Sequence, residues 1–496
     1  MSSRYTYNHS SQSISELTSE LSRHNIEYST DQDVRDKKAN TPHSPATSEE
    51  LPVVVFFPRS TQETSTILKA CNDRYIAVTS FGAGTSFGGA LTSTRGGICI
   101  SFEKMKTIIK LNEDDMDVTV QPGLGWVELN ERIQNTGLFF PVDPAPGASI
   151  GGMIAMSCSG TNAYRYGTMK ERVISLTAVL ADGRIIKTHN RPRKSAAGYD
   201  LTHLIIGSEG TLALVTEATL RLATQPQNLH VGTATFETFQ QGVDVVVALQ
   251  KSGHSLEALE LADGPQMLCV NRSKLVAQHF PELPTLFVKI AGPSAQLVQD
   301  QIARVKQLCT EQKARNFEVT CDEERIRGLW GARKCMGTAL VCMKNKPTDL
   351  FLHSDCAVPI SNLARLVEGT QALIQSASTS TTTTANSTAR KWFCANVGHV
   401  GDGNVHSSII CPAEDKPAAE AVLREIASLA LRLEGTVTGE HGVGMKLREA
   451  LREEVGVVGV GMMRDVKRAL DGRGILNPDK VFGLEEQGDG GGRARL

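Results

Sequence analysis

Two short segments toward the C-terminal end of this 496-residue chain carry the side chains best suited to chemistry. Gly398-His399-Val400-Gly401-Asp402-Gly403-Asn404-Val405-His406 sets two histidines around a tight glycine turn, a geometry in which both imidazoles can converge on one metal ion. Thr438-Gly439-Glu440-His441-Gly442-Val443-Gly444 adds a carboxylate and an adjacent histidine. Two histidines and one carboxylate leave coordination positions open for a substrate, as a catalytic metal site requires. Glu440 and His441 can then divide the work. A lone histidine is more often a satisfied structural residue than a ligand, so the weight rests on three of twelve histidines falling in two glycine-rich motifs. Asp402, flanked by Gly401 and Gly403, reads as a turn residue and stays outside the metal set.

The first half holds a different chemistry. Phe81-Gly82-Ala83-Gly84-Thr85-Ser86-Phe87-Gly88-Gly89 follows a strand signal, where a backbone turn can present several N–H groups to a diphosphate. It has no Gly-Lys-Ser/Thr and lacks the spacing of the usual dinucleotide fingerprint. A second run extends from Pro141 through Asp143 to Gly151-Gly152, then into Ser157-Cys158-Ser159-Gly160-Thr161-Asn162, and a third is Gly207-Ser208-Glu209-Gly210-Thr211-Leu212. So many small residues are costly in backbone entropy. The cost is easier to explain where backbone packs on a flat or charged ligand; three unrelated loops are the bland alternative.

Stepping outward to the elements, Ile14, Leu17 and Leu21, opened by Ser13 with Glu16, predict a capped amphipathic helix. Asn25 to Glu50 is polar and aperiodic, and reads as an extended lead-in. Val53 to Phe57, a helix from Ser60 carrying Ile67, Leu68 and Cys71, and the strand Ile76-Ala77-Val78 predict a β-α-β unit. The strand Ala218 to Leu222 precedes a boundary at Gln225-Pro226-Gln227-Asn228. Val422, Ile426, Leu429 and Leu433 before Gly435 predict a core-facing helix with a glycine stop. Ser376 to Ser387 is Ser/Thr-rich and reads as a flexible surface insertion, and Gly488 to Arg495 as a disordered tail.

The whole-chain numbers bound the function. A chain of this length exceeds one hydrophobic core, so at least two domains are expected. Hydrophobic residues at 40% and charged residues at 21% are ordinary globular composition. A formal net charge of -2 offers no basic excess for nucleic acid or an anionic membrane surface. Eleven scattered cysteines without a CxxC pair fit a reducing compartment. No run of about 18 apolar residues predicts a membrane span, no signal-peptide apolar region opens the chain, and the few residues before the first helix leave little room for a mitochondrial presequence.

Taken together, the motifs resemble the flavoproteins of the vanillyl-alcohol oxidase type, in their D-lactate dehydrogenase (cytochrome) branch, from about Pro52 to Phe482. The segments that carry it are Phe81 to Ser86, Val120 to Trp126, Phe140 to Gly152, Ser157 to Asn162, Arg165 to Met169, Gly207 to Thr211, Gly398 to His406, Gly439 to Gly444 and Leu476-Asn477-Pro478. The resemblance implies an α+β, two-domain chain: an N-terminal helix and lead-in over 1–50, a PCMH-type FAD-binding domain over 51–226, and an FAD-linked oxidase C-terminal substrate domain over 227–484 that packs over the flavin. Within the latter, 376–390 is the low-complexity insertion, and 485–496 is the tail. It implies that Gly82, Ala83, Gly84, Thr85 and Ser86 hold the FAD diphosphate, and that Pro141, Asp143, Gly151, Gly152, Ser159, Gly160, Glu209, Gly210 and Thr211 line the rest of the cofactor. His399, His406 and Glu440 resemble the ligands of a divalent metal, with zinc the expected ion, His441 the base, and Arg333 the anchor for a substrate carboxylate. Ala90 stands where some relatives carry a histidine, which implies non-covalent FAD, and Ala213 replaces a common glycine.

The expected reaction is oxidation of D-lactate to pyruvate, with electrons passed to cytochrome c or another acceptor, in a cytoplasmic or mitochondrial location, the mitochondrion being the one the resemblance implies. A different 2-hydroxy acid, D-2-hydroxyglutarate or glycolate, keeps the same chemistry; for the diacid, Lys334 and His353 are the candidate second cations, and both also suit structural roles. A metal-dependent hydrolase built on His399, His406 and Glu440 is the reading from another class, and it leaves the glycine loops unexplained. A flavin-binding protein without turnover leaves Arg333 and His441 unexplained.

Overall fold

The computed structural model describes residues 5–41, 44–380 and 392–484. These fall into two compact units that the chain enters more than once. One comprises the described residues of Met1–Ser159, Gly167–Thr224 and Glu440–Leu496; the other comprises those of Gly160–Tyr166 and Gln225–Gly439. Contiguous domains meeting near residue 226 were expected. The chain instead returns to the first unit at Glu440, because Ile475 and Asn477 pair with Val78: Val78 N–H donates to Ile475 O at 2.8 Å, and Asn477 N–H to Val78 O at 2.8 Å.

In the first unit the helix Ser11–Arg23 buries Ile14, Leu17 and Leu21. Its cap is Ser10 rather than Ser13, since the Ser10 hydroxyl accepts from Ser13 N–H. The lead-in is not wholly extended. Asp31 caps a helix at Gln32–Ala39, which buries only Ala39 and so shows no apolar period, and a short strand Tyr28–Ser29 precedes it. Strands Val54–Phe56 and Val78–Phe81 flank the helix Thr61–Asp73, capped by Ser60. They do not touch each other; both pair in parallel with Ile98–Ser101, which lies between them. A five-stranded antiparallel sheet runs Ile108–Asn112, Asp117–Val120, Leu214–Arg221, Val173–Val179, Ile185–Lys187. Val118, Leu129, Phe140, Ile154, Leu176 and Leu220 form its core.

The second unit is a seven-stranded antiparallel sheet, in the order Asn316–Thr320, His230–Thr235, Thr285–Ile290, Ala258–Ala262, Phe393–Gly398, Asn404–Cys411, Leu350–Ala357. Helices Phe239–Lys251, Ala295–Glu311, Leu363–Ser380 and Lys416–Arg432 supply the larger core, with Leu259, Leu286, Val405 and Ile409 from the sheet. Antiparallel pairing with separate helices is α+β architecture.

Lys416–Arg432 buries Val422 and Ile426 and ends before Gly435 as expected, but its left-handed residue is Glu434, at φ 62°. Gly435 is needed for close approach: a Cβ there would lie 2.2 Å from Ala357 O. The Ser/Thr-rich stretch begins inside the helix Leu363–Ser380, where buried Ser378 accepts from Trp392 N–H at 2.8 Å. Its remainder, and the tail 485–496, lie outside the described residues. No described helix is long and apolar enough to cross a membrane, and no cysteine forms a disulfide.

Candidate active site

In the first unit, the strand Val78–Phe81 delivers the chain into a cavity whose wall is made of the three glycine loops. Gly82, Ala83, Gly84, Thr85, Ser86, Gly151, Gly152, Glu209 and Gly210 line it, and so do Ala90 and Ala213. Backbone packing explains the glycines. A Cβ on Gly82 would stand 2.6 Å from Ser149 Oγ, and one on Gly151 2.6 Å from Pro122 Cβ. Gly210, at φ 68°, would meet Asn477 Nδ2 at 2.5 Å. Among the described residues, Pro141, Asp143, Ser159 and Thr211 do not line this cavity, and Gly160 belongs to the second unit.

Asn477 binds the loops together. Its Oδ1 accepts from Ser80 N–H at 2.8 Å, while its Nδ2 donates to Glu209 O at 2.6 Å and Ser80 Oγ at 3.0 Å. Truncating Asn477 to alanine would strand the Ser80 amide and the Glu209 carbonyl, each worth about 1–3 kcal/mol when buried and unsatisfied. The expected result is a Tm lowered by several degrees in thermal unfolding.

Glu440 and His441 stand in the wall of this same cavity, in the first unit rather than in a C-terminal metal domain. The His441 ring packs 4.6 Å from Phe87, tilted by 39°, and its Nε2 is 3.6 Å from Glu440 Oε1. Ser159 Oγ donates to Glu440 Oε2 at 2.8 Å, which is the place the structure gives a residue expected on the cofactor. Glu209 fixes the turn after His441: buried, at φ 51°, it accepts from Val443 N–H at 2.7 Å and from Gly444 N–H at 2.9 and 3.1 Å. Burial pushes the Glu209 carboxyl up, against the pull of those two amides and of Lys480.

The second unit gathers the other candidates. His399 follows the strand Phe393–Gly398, and His406 lies on the returning strand opposite Val397. Gly403, at φ 80°, closes the turn, in which Asp402 N–H donates to His399 O at 2.9 Å. The two imidazoles meet edge to face with centroids 5.3 Å apart. Each Nδ1 faces a buried carboxylate: Glu260 Oε1 at 2.8 Å from His399, and Asp355 Oδ1 at 3.4 Å from His406. Asp355 also accepts from Asn404 Nδ2 at 2.9 Å, Thr438 Oγ1 at 2.9 Å and Gly439 N–H at 3.1 Å.

Arg333, on the helix Glu323–Lys334, is buried and pairs with Glu260 Oε2 through Nε at 2.8 Å and Nη2 at 2.6 Å. Burial raises the Glu260 carboxyl, but Arg333 and His399 outweigh it and hold the group below the ordinary carboxylate range. Sequence reasoning missed Glu260 and gave Asp355 no role. The available signal was a charge at the centre of the apolar strand Ala258–Ala262. Lys334 is exposed and His353 lies on the edge strand beside Phe351.

Residues 225–481 match the family described as FAD linked oxidases, C-terminal domain, and residues 52–189 match FAD binding domain. The chain is 42% identical over 446 residues to D-lactate dehydrogenase (cytochrome), mitochondrial, of Kluyveromyces lactis, covering 89% of this chain and 75% of that protein. It is 31% identical to glycolate oxidase subunit GlcD of Bacillus subtilis, covering 87% of this chain and 89% of that protein. Its fold is that of p-cresol methylhydroxylase, at a TM-score of 0.76 and 15% identity over 96% of this chain and 97% of that one. With a glycine-walled cavity beneath an FAD-binding match and an oxidase match over the remainder, the chain belongs to the FAD-linked oxidases and is an FAD-dependent oxidoreductase.

Proposed function

We propose that this enzyme oxidises D-lactate to pyruvate and passes the electrons to cytochrome c. The observation that carries the reading is His441, beside Glu440, in the wall of the glycine-lined cavity. A base candidate and a flavin cradle thus share one pocket, and the 42%-identical relative is named for this reaction. That relative's name also supports a mitochondrial location.

The cradle suits FAD, since the backbone of Gly82 to Ser86, Gly151-Gly152 and Glu209-Gly210 lines one cavity where its N–H groups can face a diphosphate. The loop Gly82 to Ser86 then holds the diphosphate and Ala90 leaves the cofactor non-covalent. His399 and His406, around one turn of the second unit, offer two imidazoles that suit a divalent ion, zinc by its preference for nitrogen donors. His399 donating Nδ1 to Glu260 presents Nε2 as a lone pair, the usual state of a metal-ligating imidazole.

Bound FAD supplies the acceptor for the hydride that leaves the α-carbon. The divalent ion supplies charge that lowers the pKa of the substrate hydroxyl. Arg333 holds the substrate carboxylate by parallel hydrogen bonds, which selects the face of the α-carbon that reacts. A ring nitrogen of His441 removes the hydroxyl proton. Phe87 packs against that ring, with centroids 4.6 Å apart.

The test is anaerobic bleaching of the flavin absorbance by D-lactate, L-lactate, glycolate and D-2-hydroxyglutarate, with and without a chelator. D-Lactate should bleach it fastest, and the chelator should slow it. Preference for glycolate, which the relation to the glycolate oxidase subunit makes the second reading, would replace lactate as substrate. A colourless preparation would overturn flavin chemistry altogether.

A further inference from the structure

We infer that Glu260 is a positioning residue, one carboxylate that sets both the substrate anchor Arg333 and the metal-ligand candidate His399. The inference rests on the proposed function and adds a residue to it. Glu260 is the third of five residues in a strand that is buried throughout, where a charge is costly unless every lone pair finds a donor. Both of its oxygens are used, each on a different group. Oε2 takes Nε and Nη2 of Arg333 at 2.8 and 2.6 Å, and Oε1 takes His399 Nδ1 at 2.8 Å.

The three side chains arrive from three elements: the strand Ala258–Ala262, the helix Glu323–Lys334, and the turn after Phe393–Gly398. A carboxylate serving only to neutralise Arg333 would have no need of the imidazole. One serving only the imidazole would have no need of two guanidinium bonds. Together the contacts fix which His399 nitrogen carries the proton and which edge of Arg333 is turned away from Glu260. Metal geometry and carboxylate geometry are thereby tied to one rigid strand.

The isosteric Glu260→Gln keeps the packing but removes the negative charge that Arg333 and His399 both face and turns one accepting oxygen into a donor, so both contacts weaken. Glu260→Asp keeps both acceptors on a shorter stem. The experiment uses metal-stripped, flavin-loaded enzyme, titrated calorimetrically with Zn²⁺ and with Mn²⁺, and D-lactate oxidation followed as anaerobic flavin bleaching and, with an artificial electron acceptor, at steady state to separate KM from kcat. Glu260→Gln should lose about 10–100-fold in ion affinity and raise KM with flavin content unchanged. Glu260→Asp should fall between it and wild type in both readouts.

Wild-type ion affinity or wild-type KM in Glu260→Gln overturns the inference, as does Glu260→Asp no better than Glu260→Gln. If Glu260→Gln does not fold, Glu260→Asp decides: both readouts shifted supports positioning, and either one unshifted overturns it. Wild-type enzyme that takes up no ion, or that D-lactate does not bleach, overturns the functional reading and the inference with it. Wild type that does both, beside unchanged variants, overturns the inference alone.

Discussion

Replacing His441 by alanine is expected to leave FAD bound while slowing flavin reduction by D-lactate about 10²-fold or more, the usual scale for loss of a general base. The cradle residues Gly82 to Ser86, Gly151 and Gly210 do not depend on the imidazole, so the flavin spectrum should persist. The turn that carries the ring does not depend on it either, because Glu209 holds Val443 and Gly444 through their backbone amides. The lesion is therefore confined to proton transfer. Stopped-flow reduction of the variant should show a slow phase across substrate concentrations, with binding little changed. Near-normal reduction would take His441 out of the mechanism, and loss of flavin would make it a cofactor-binding residue instead.

Replacing Arg333 by alanine should be strongly destabilising. Glu260 is 1% exposed and Arg333 8%, so the pair is shielded from solvent and removing one partner leaves an under-compensated buried charge. Such a loss is about 3–5 kcal/mol, read as a lower urea midpoint at unchanged slope. The pH dependence carries a sign. In the wild type the Glu260 carboxyl lies below its ordinary value of about 4.3, so its stabilisation is complete above that pH and is lost as pH falls through the depressed value. Without Arg333 the opposing effect of burial gains ground, and protonation then relieves the strain. The gap between variant and wild type should narrow from pH 7.5 to pH 5. A constant or widening gap would show that Glu260 stays ionised without Arg333. Flavin reduction by D-lactate should also fail in this variant if Arg333 is the substrate anchor proposed above.

Particular residues show which features were legible and why. The β-α-β elements and the helix Lys416–Arg432 stood out because their apolar periods are local. The helix Gln32–Ala39 did not, since burying one alanine leaves no period to find. The strand Ile98–Ser101 has an apolar run, but its insertion between Val54–Phe56 and Val78–Phe81 is a long-range pairing that no local signal encodes. Asn477 was visible within a motif, whereas its four-way bonding to Ser80, Glu209 and Val78 appears only when residues some 270 to 400 positions apart meet. Ser159 was expected on the cofactor from the family resemblance, and its hydroxyl donates to Glu440, a contact across 281 positions that no local signal encodes.

Turn chemistry and motif spacing are properties of neighbouring residues, so the glycine loops, the paired histidines and the Glu440-His441 step were legible along the chain. That Glu440 and His441 stand in the wall of the glycine-lined cavity, and that Glu260 ties Arg333 to His399, emerges on folding alone. Strand pairing and burial of charge are settled between residues distant in the chain. The same glutamate that looks like an interruption of an apolar strand becomes, once folded, the acceptor both partners require.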